Sequence, residues 1–381
     1  MSLIILIIAV LLAAYCVLIL MYRRWFLRLP VFISGQTEKP ACFFSVIIPA
    51  RNEEQNIPTC LLSALQQQYP TELFEVIFIN DHSTDRTEEL VRQLQQRFSN
   101  LVLLNLADEL QDQKLNSYKK KSIELAISKS RGNWIVCTDA DCLVGPDWLS
   151  NFDAFARQGN KMFIAAPVMF SSDGSFLSLF QQLDFLSLQG ITAASVSAGY
   201  HTMCNGANIA YQKKAFVAVN GFEGIDRLAS GDDMLLMHKI GEKYPGALAY
   251  LFAPGSIVIT EPMKTWKELL NQRIRWASKA DSYRDRSIFW VLFLVYALNF
   301  GLLALLVVSP FIVNGFGYWL LLVIIKTMVE LSFMVPVTRF FGQTAALGWF
   351  PIMQPFHIAY TVIAGWLGKF GTYEWKGRKV K

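Results

Sequence analysis

The apolar residues fall into blocks separated by polar stretches. Residues 1–22 carry no charged side chain, and at about 1.5 Å per residue a helix of that length reaches across a hydrocarbon core of about 30 Å. The block reads as a spanning anchor rather than a cleaved signal peptide, because no basic stretch precedes it and no small-x-small site follows it. A bulky Tyr15 before Cys16 likewise argues against a lipoprotein site. Arg23, Arg24 and Arg28 come next and predict entry into the cytoplasm here, with the N-terminus outside.

Toward the other end, Ile288 to Val313 is again uncharged. A break at Asn314, Gly315 and Gly317 separates it from a further apolar stretch, Tyr318 to Val337. The two predict an out-and-back helical hairpin. Lys326 and Glu330 stand one turn apart inside it, the spacing at which two opposite charges can neutralise each other in an apolar setting, so a paired structural role is expected. Leu347–Leu367 is interrupted by Pro351, Pro355, His357 and Gly365, with Gly368 just beyond, and predicts a kinked, re-entrant or in-plane segment. The basic tail (Lys369, Lys376, Arg378, Lys379, Lys381) is expected on the cytoplasmic side, which favours incomplete crossing by that segment.

Between Phe43 and about Thr260 the pattern changes to short apolar runs alternating with amphipathic ones. Phe43–Pro49, Glu75–Asn80, Leu101–Leu106 and Trp134–Thr138 read as buried strands; Ile57–Gln67, Thr87–Arg97 and Lys120–Lys129 read as helices. That alternation predicts an α/β fold with a mainly parallel sheet covered on both faces. The expected organisation is an anchor (1–22), a cytoplasmic α/β domain (43–260), an interfacial helix (261–287), a membrane block (288–368) and a basic tail (369–381).

Composition supports this division. The 381 residues are 53% hydrophobic and 17% charged, with mean hydropathy +0.32, against roughly 25% charged in ordinary soluble domains. A disordered tail protein and a plain soluble enzyme are both excluded. Lys+Arg 35 against Asp+Glu 30 leaves +5, which suits anionic lipid headgroups and is too weak to imply a nucleic-acid partner. The six cysteines (Cys16, Cys42, Cys60, Cys137, Cys142, Cys204) lack C-x-x-C spacing and a histidine cluster, so neither zinc nor a disulfide framework is expected.

In open α/β sheets ligands bind beyond the carboxyl ends of the strands. Here three predicted strands end in polar clusters: Pro49-Ala50-Arg51-Asn52-Glu53-Glu54, Asn80-Asp81-His82-Ser83-Thr84-Asp85 and Thr138-Asp139-Ala140-Asp141. One acidic strand end is commonly a helix cap. Three neighbouring ones predict a carboxylate-lined cleft for ribose hydroxyls and a divalent cation. Asp139 and Asp141, one residue apart, are expected on the same side of an extended segment, where both can approach one hard cation.

With Ser45-Val-Ile-Ile-Pro-Ala-Arg-Asn-Glu-Glu, Asn80-Asp-His-Ser-Thr-Asp-Arg-Thr and Thr138-Asp-Ala-Asp, the chain resembles the family 2 inverting glycosyltransferases of the GT-A fold. Gly231-Asp232-Asp233 and Gln272-Arg273-Ile274-Arg275-Trp276 strengthen the likeness. The latter is similar to the Q-x-x-R-W signature of the membrane-embedded branch, which includes cellulose, hyaluronan and chitin synthases and ceramide glucosyltransferase. Tyr373-Glu-Trp-Lys-Gly-Arg likewise resembles the tail of ceramide glucosyltransferases.

The resemblance implies transfer from a nucleotide sugar, a UDP-sugar first, to a lipid acceptor in a multi-pass cell-membrane protein with its catalytic domain in the cytoplasm. A processive polysaccharide synthase is the alternative. Pro49, Ala50, Arg51, Glu53 and Asp81 would hold the nucleoside, with Asp85 and Lys119 or Lys121 along the same edge. Asp139 and Asp141 would hold Mg²⁺ or Mn²⁺ against the diphosphate. Asp233 would be the base, with Asp232 as its competitor. Gln272, Arg273, Arg275 and Trp276 would meet the donor, and Trp276 with Asn205, Gly206, Ala207 and Asn208 the acceptor. The bland readings are a helix cap for Asp233, a structural turn for 205–208 and an interfacial aromatic-basic belt for 272–276.

Overall fold

The computed structural model describes residues 3–34, 39–110, 117–226, 231–278, 285–370, 373–375 and 378–380. The chain divides into two compact units. One is an α/β unit, Pro30–Met169 with Thr202–Glu261; the other is a helical unit, Met1–Leu29, Phe170–His201 and Pro262–Lys381.

The α/β unit is built on β1 (Phe44–Ala50), β2 (Phe74–Asn80), β3 (Leu101–Asn105), β4 (Trp134–Cys137), β5 (Cys142–Leu143), β6 (Phe163–Ala165), β7 (Val168–Phe170), β8 (Ile209–Gln212), β9 (Leu248–Tyr250) and β10 (Val258–Thr260). Seven strands form one sheet in the order β3-β2-β1-β4-β8-β6-β9. β1 pairs in parallel with β2 (Phe44↔Phe74 through Ala50↔Asn80) and with β4, whereas β8 runs antiparallel to β4 and β6. A smaller sheet takes the order β5-β10-β7. The expected α/β class is present, with an antiparallel strand that the alternating pattern did not predict.

Val46, Ile47, Ile48, Val76, Ile77 and Phe78 are all at most 1% exposed. Helices cover both faces of a parallel sheet, so its central strands read as unbroken apolar runs, and each such side chain contributes about 1.5–3 kcal/mol on burial. Glu75 interrupts β2, and its charge is met there: it accepts from Ser45 Oγ at 2.6 Å and from Arg131, backbone N–H at 2.6 Å and Nε at 2.8 Å. Gly132 allows that approach, because a Cβ there would lie 2.6 Å from the Ser45 nitrogen.

Among the described residues of the helical unit, three helices are long and apolar enough to cross a membrane: Leu3–Leu27, Arg286–Phe311 and Gly315–Phe340. The first continues past the expected anchor, so Arg23 and Arg24 are helical. The interrupted segment is one helix, Phe350–Phe370, with Pro355 inside it; it falls short of the apolarity of the other three. Lys326, fully buried, donates to Glu330 Oε1 at 2.6 Å and Gln354 Oε1 at 2.9 Å; Gln354 donates to Glu330 Oε2 at 2.6 Å, and Tyr15 Oη to Glu330 Oε1 at 2.5 Å.

The expected continuous 43–260 domain requires correction. The helix Phe176–Ser197 belongs to the helical unit. Gly190 explains the close fit: a Cβ there would lie 2.5 Å from Val337 Cγ2 and 2.9 Å from Phe333 Cζ. Of the tail, Tyr373–Trp375 pairs antiparallel with Arg378–Val380, while Lys376, Gly377 and Lys381 lie outside the described residues.

Candidate active site

The polar ends of β1, β2 and β4 gather with residues after β8, as the topology requires. Asp139 and Asp141 follow β4. They are not on an extended segment: residues 140–141 form a turn in which Cys142 N–H donates to the Asp139 carbonyl at 3.2 Å. The tight turn, and not strand alternation, holds the two carboxylates together. The Asp141 carboxyl is pushed up to about 6, first by burial and then by the neighbouring charges of Asp139 and Glu53. Burial and the same aspartates raise the thiols of Cys60 and Cys142, which leaves them protonated.

Lys119, at the second position of the helix Tyr118–Lys129, reaches into this cleft. Its Nζ lies 2.8 Å from Asp139 Oδ1 and 3.2 Å from Asp232 Oδ2. Burial alone would lower the ammonium; the charges of Asp139, Asp232 and Asp233 outweigh it and hold Lys119 well above the ordinary lysine range. Lys121 faces Glu124 at 3.6 Å on a half-exposed surface, so of the two lysines only Lys119 enters the carboxylate group.

Asp233 caps the helix Met234–Lys243, with Oδ1 accepting from Met234 N–H at 2.7 Å and Oδ2 from Gly206 N–H at 2.9 Å. The cap and the candidate catalytic position therefore coincide. Each oxygen keeps acceptor capacity, and the two bonds fix where it points. Gly206 lies 3.4 Å from Asp233 by its would-be Cβ, so the 205–208 loop is brought to the expected base.

Other expected contacts resolve differently. Asp85 accepts from Glu54 N–H at 3.1 Å, and through its other oxygen from Thr87 N–H at 3.1 Å and Thr87 Oγ1 at 2.6 Å. Burial would raise its carboxyl; these hydrogen bonds hold it low. It ties the β1 loop to a helix start. Asn208 is fully buried: its amide donates to Pro167 O and Ser256 O, each at 2.7 Å, and accepts from Trp148 Nε1 at 2.9 Å. Its side chain is structural, and Ala207 is buried at 3% exposure. Arg51 donates to the Asp81 carbonyl at 3.1 Å, linking the ends of β1 and β2, and Pro49 and Ala50 close β1. Asp81 is 4% exposed, with Oδ1 2.9 Å from His82 Nδ1.

In the helical unit, Gln272–Trp276 lies on the helix Trp266–Ala277, which a Thr265/Glu268 capping box starts. Arg273 is 4% exposed. It pairs with Asp184 at 2.8 Å and stacks 4.1 Å over the Trp276 ring. His357 Nε2 approaches the same Asp184 at 3.5 Å. Burial would raise Asp184; Arg273 and then His357 keep it below the usual carboxylate range. Arg273 thus pairs inside the unit, while Arg275 and Trp276 remain partly exposed. Asp184 was not singled out from the sequence, and His357 only as an interruption of the segment 347–367; a lone acid within the uncharged neighbourhood 174–183 and 185–197 was the available signal.

Among the described residues, no group of three or more His, Cys, Asp or Glu could by itself hold a metal ion. The pair Asp139 and Asp141 still suits a hard cation. Both offer oxygen, and the raised Asp141 carboxyl marks negative charge in want of a counter-charge; the remaining ligands would be diphosphate oxygens.

Two family models match the chain: glycosyl transferase family 2 over residues 45–219 and glycosyl transferase family group 2 over residues 134–366. The second covers more than half of the chain, which therefore belongs to that glycosyltransferase family. The fold is similar to that of the mannosyltransferase PcManGT from Pyrobaculum calidifontis, solved with GDP-Man and Mn²⁺, with a TM-score of 0.60, 18% identity and coverage of 93% of this chain and 99% of that one. Curated relatives include a dolichyl-phosphate β-glucosyltransferase of Trichomonas vaginalis, 31% identical over 33% of this chain and 37% of the relative. A poly-β-1,6-N-acetyl-D-glucosamine synthase of Staphylococcus epidermidis is 24% identical over 61% of this chain and 53% of its own length. The matches thus span from about a third to about half of these relatives.

Proposed function

We propose that the protein is an inverting, metal-dependent glycosyltransferase that moves a sugar from a nucleotide sugar, a UDP-sugar first, to a membrane lipid at the cytoplasmic face. The observation that carries this reading is the gathering of Asp139, Asp232 and Asp233 around Lys119, with Asp141 beside Asp139, beyond the strand ends. The three membrane-length helices and the dolichyl-phosphate relative support the lipid acceptor.

An acceptor hydroxyl is a poor nucleophile until its proton is removed. Asp233 takes that proton. It is preferred over Asp232 because Asp232 pairs with Lys119 at 3.2 Å, whereas two backbone N–H groups aim Asp233. The hydroxyl attacks the anomeric carbon opposite the leaving nucleoside diphosphate, which inverts the centre. Asp139 and Asp141 would hold Mg²⁺ or Mn²⁺, which would supply positive charge for a departing diphosphate. Arg51 and Asp81 form the floor for the nucleoside.

Full-length protein in lipid nanodiscs, supplied with UDP-sugars, Mn²⁺ and a lipid extract, is expected to release UDP and form one glycolipid. Chelation is expected to stop both. The 61% coverage by the match to a polysaccharide synthase favours a second reading, processive synthesis, which a ladder of long polymer products would establish instead.

A further inference from the structure

Lys119 stands between two carboxylates that the proposed reaction uses for different purposes. Its Nζ is 2.8 Å from Asp139, a candidate metal ligand, and 3.2 Å from Asp232, the neighbour of the candidate base. The Lys119 side chain is only 22% exposed, so bulk water does not screen its charge fully. Glu53, Asp141 and Asp233 add further negative charge near the same turn.

We propose that Lys119 is a resident counter-ion that occupies Asp139 in the donor-free protein and moves to the incoming diphosphate, so that cation and nucleotide sugar bind as a coupled pair. This rests on reading the cleft as a nucleotide-sugar site. A cation approaching Asp139 alone must displace or face a like charge a few ångströms away, which weakens its binding. A diphosphate changes that balance by offering Lys119 new oxygens, so the ammonium leaves the carboxylate without being stranded unpaired. The geometry permits the movement. The Lys119 backbone is fixed in the first turn of its helix, while its four-carbon stem can swing the charge from one oxygen to another. By linkage, whatever donor binding adds to cation affinity, cation binding adds to donor affinity.

Mn²⁺ titrated into the full-length protein, with free Mn²⁺ read by electron paramagnetic resonance, tests this with no turnover. The wild type is expected to bind Mn²⁺ weakly alone and much more tightly with UDP. Lys119→Met is expected to bind Mn²⁺ alone about tenfold more tightly, with a correspondingly smaller gain from UDP. Lys119→Gln should follow Met and Lys119→Arg should follow the wild type, so an unfolded variant cannot decide the matter. Unchanged or weaker Mn²⁺ affinity in both neutral variants overturns the counter-ion role while leaving the functional reading intact. If Mn²⁺ binds to none of the proteins, with UDP or GDP present, the reading of the cleft falls, and this inference with it.

Discussion

The two units handle buried charge in opposite ways. In the helical unit, Lys326, Glu330, Gln354 and Tyr15 satisfy one another through four hydrogen bonds of 2.5–2.9 Å. In the α/β unit, Lys119 faces Asp139, Asp232 and Asp233, and a neighbouring carboxyl, Asp141, is driven up to about 6. A network whose members bond one another marks a structural device. An open one keeps unmet charge where chemistry is to be done, at a cost in stability that a bound cation and diphosphate can offset.

That contrast is testable from its strongest consequence downward. Asp233→Asn, which keeps shape and removes the proton acceptor, is expected to lower kcat by about 10²–10⁴ with UDP binding retained, as measured by product formation and equilibrium titration. Near-normal turnover would leave Asp233 as a cap alone. Lys326→Met strands a buried carboxylate and is expected to destabilise the protein by about 3–5 kcal/mol in detergent unfolding, with a Lys326→Met, Glu330→Leu double change recovering most of the loss. No effect of the single change would show that the closed network is not structural.

Glu75 is a closed carboxylate within the α/β unit itself and separates location from pairing. Burial would raise it, but Arg131 and Ser45 hold its carboxyl below the usual range. A lowered folded value means that its contribution is present above the unfolded value near 4.5 and is lost as pH falls through the folded one. Glu75→Gln should therefore cost about 1–3 kcal/mol at neutral pH, and the difference from wild type should shrink in acid, followed by thermal melts across pH. Lys121→Ala, which removes only a half-exposed pairing with Glu124, should change stability by less than about 0.5 kcal/mol and activity less than Lys119→Met does.

The legible parts of this protein were those with one strong local cause. The runs 43–49 and 75–80 announced buried strands, and the charge-free blocks announced long helices, within a few residues of where they lie. The acidic strand ends pointed to the cleft because α/β topology places them on one side. What stayed hidden depends on partners distant in sequence. Asp85 bonds to Glu54 and Thr87, and Asn208 to Trp148, Pro167 and Ser256, partners that no local pattern announces. Arg273 pairs with Asp184, 89 residues earlier, which its own motif does not announce either. The excursion Phe170–His201 was missed because an apolar helix inside an α/β region carries no local sign of which unit will bury it.

That excursion sets an order of events during synthesis. β8 is the strand between β4 and β6 in the main sheet, but it is made only after the chain has left the α/β unit, formed the helix Phe176–Ser197 and returned at Thr202. Until then β4 and β6 lie unjoined, with open edges exposed to stray pairing. The sheet is therefore completed by a late, non-local closure, and a fragment cut at 43–260 carries a long apolar helix without the Val337 and Phe333 surface against which its Gly190 face packs.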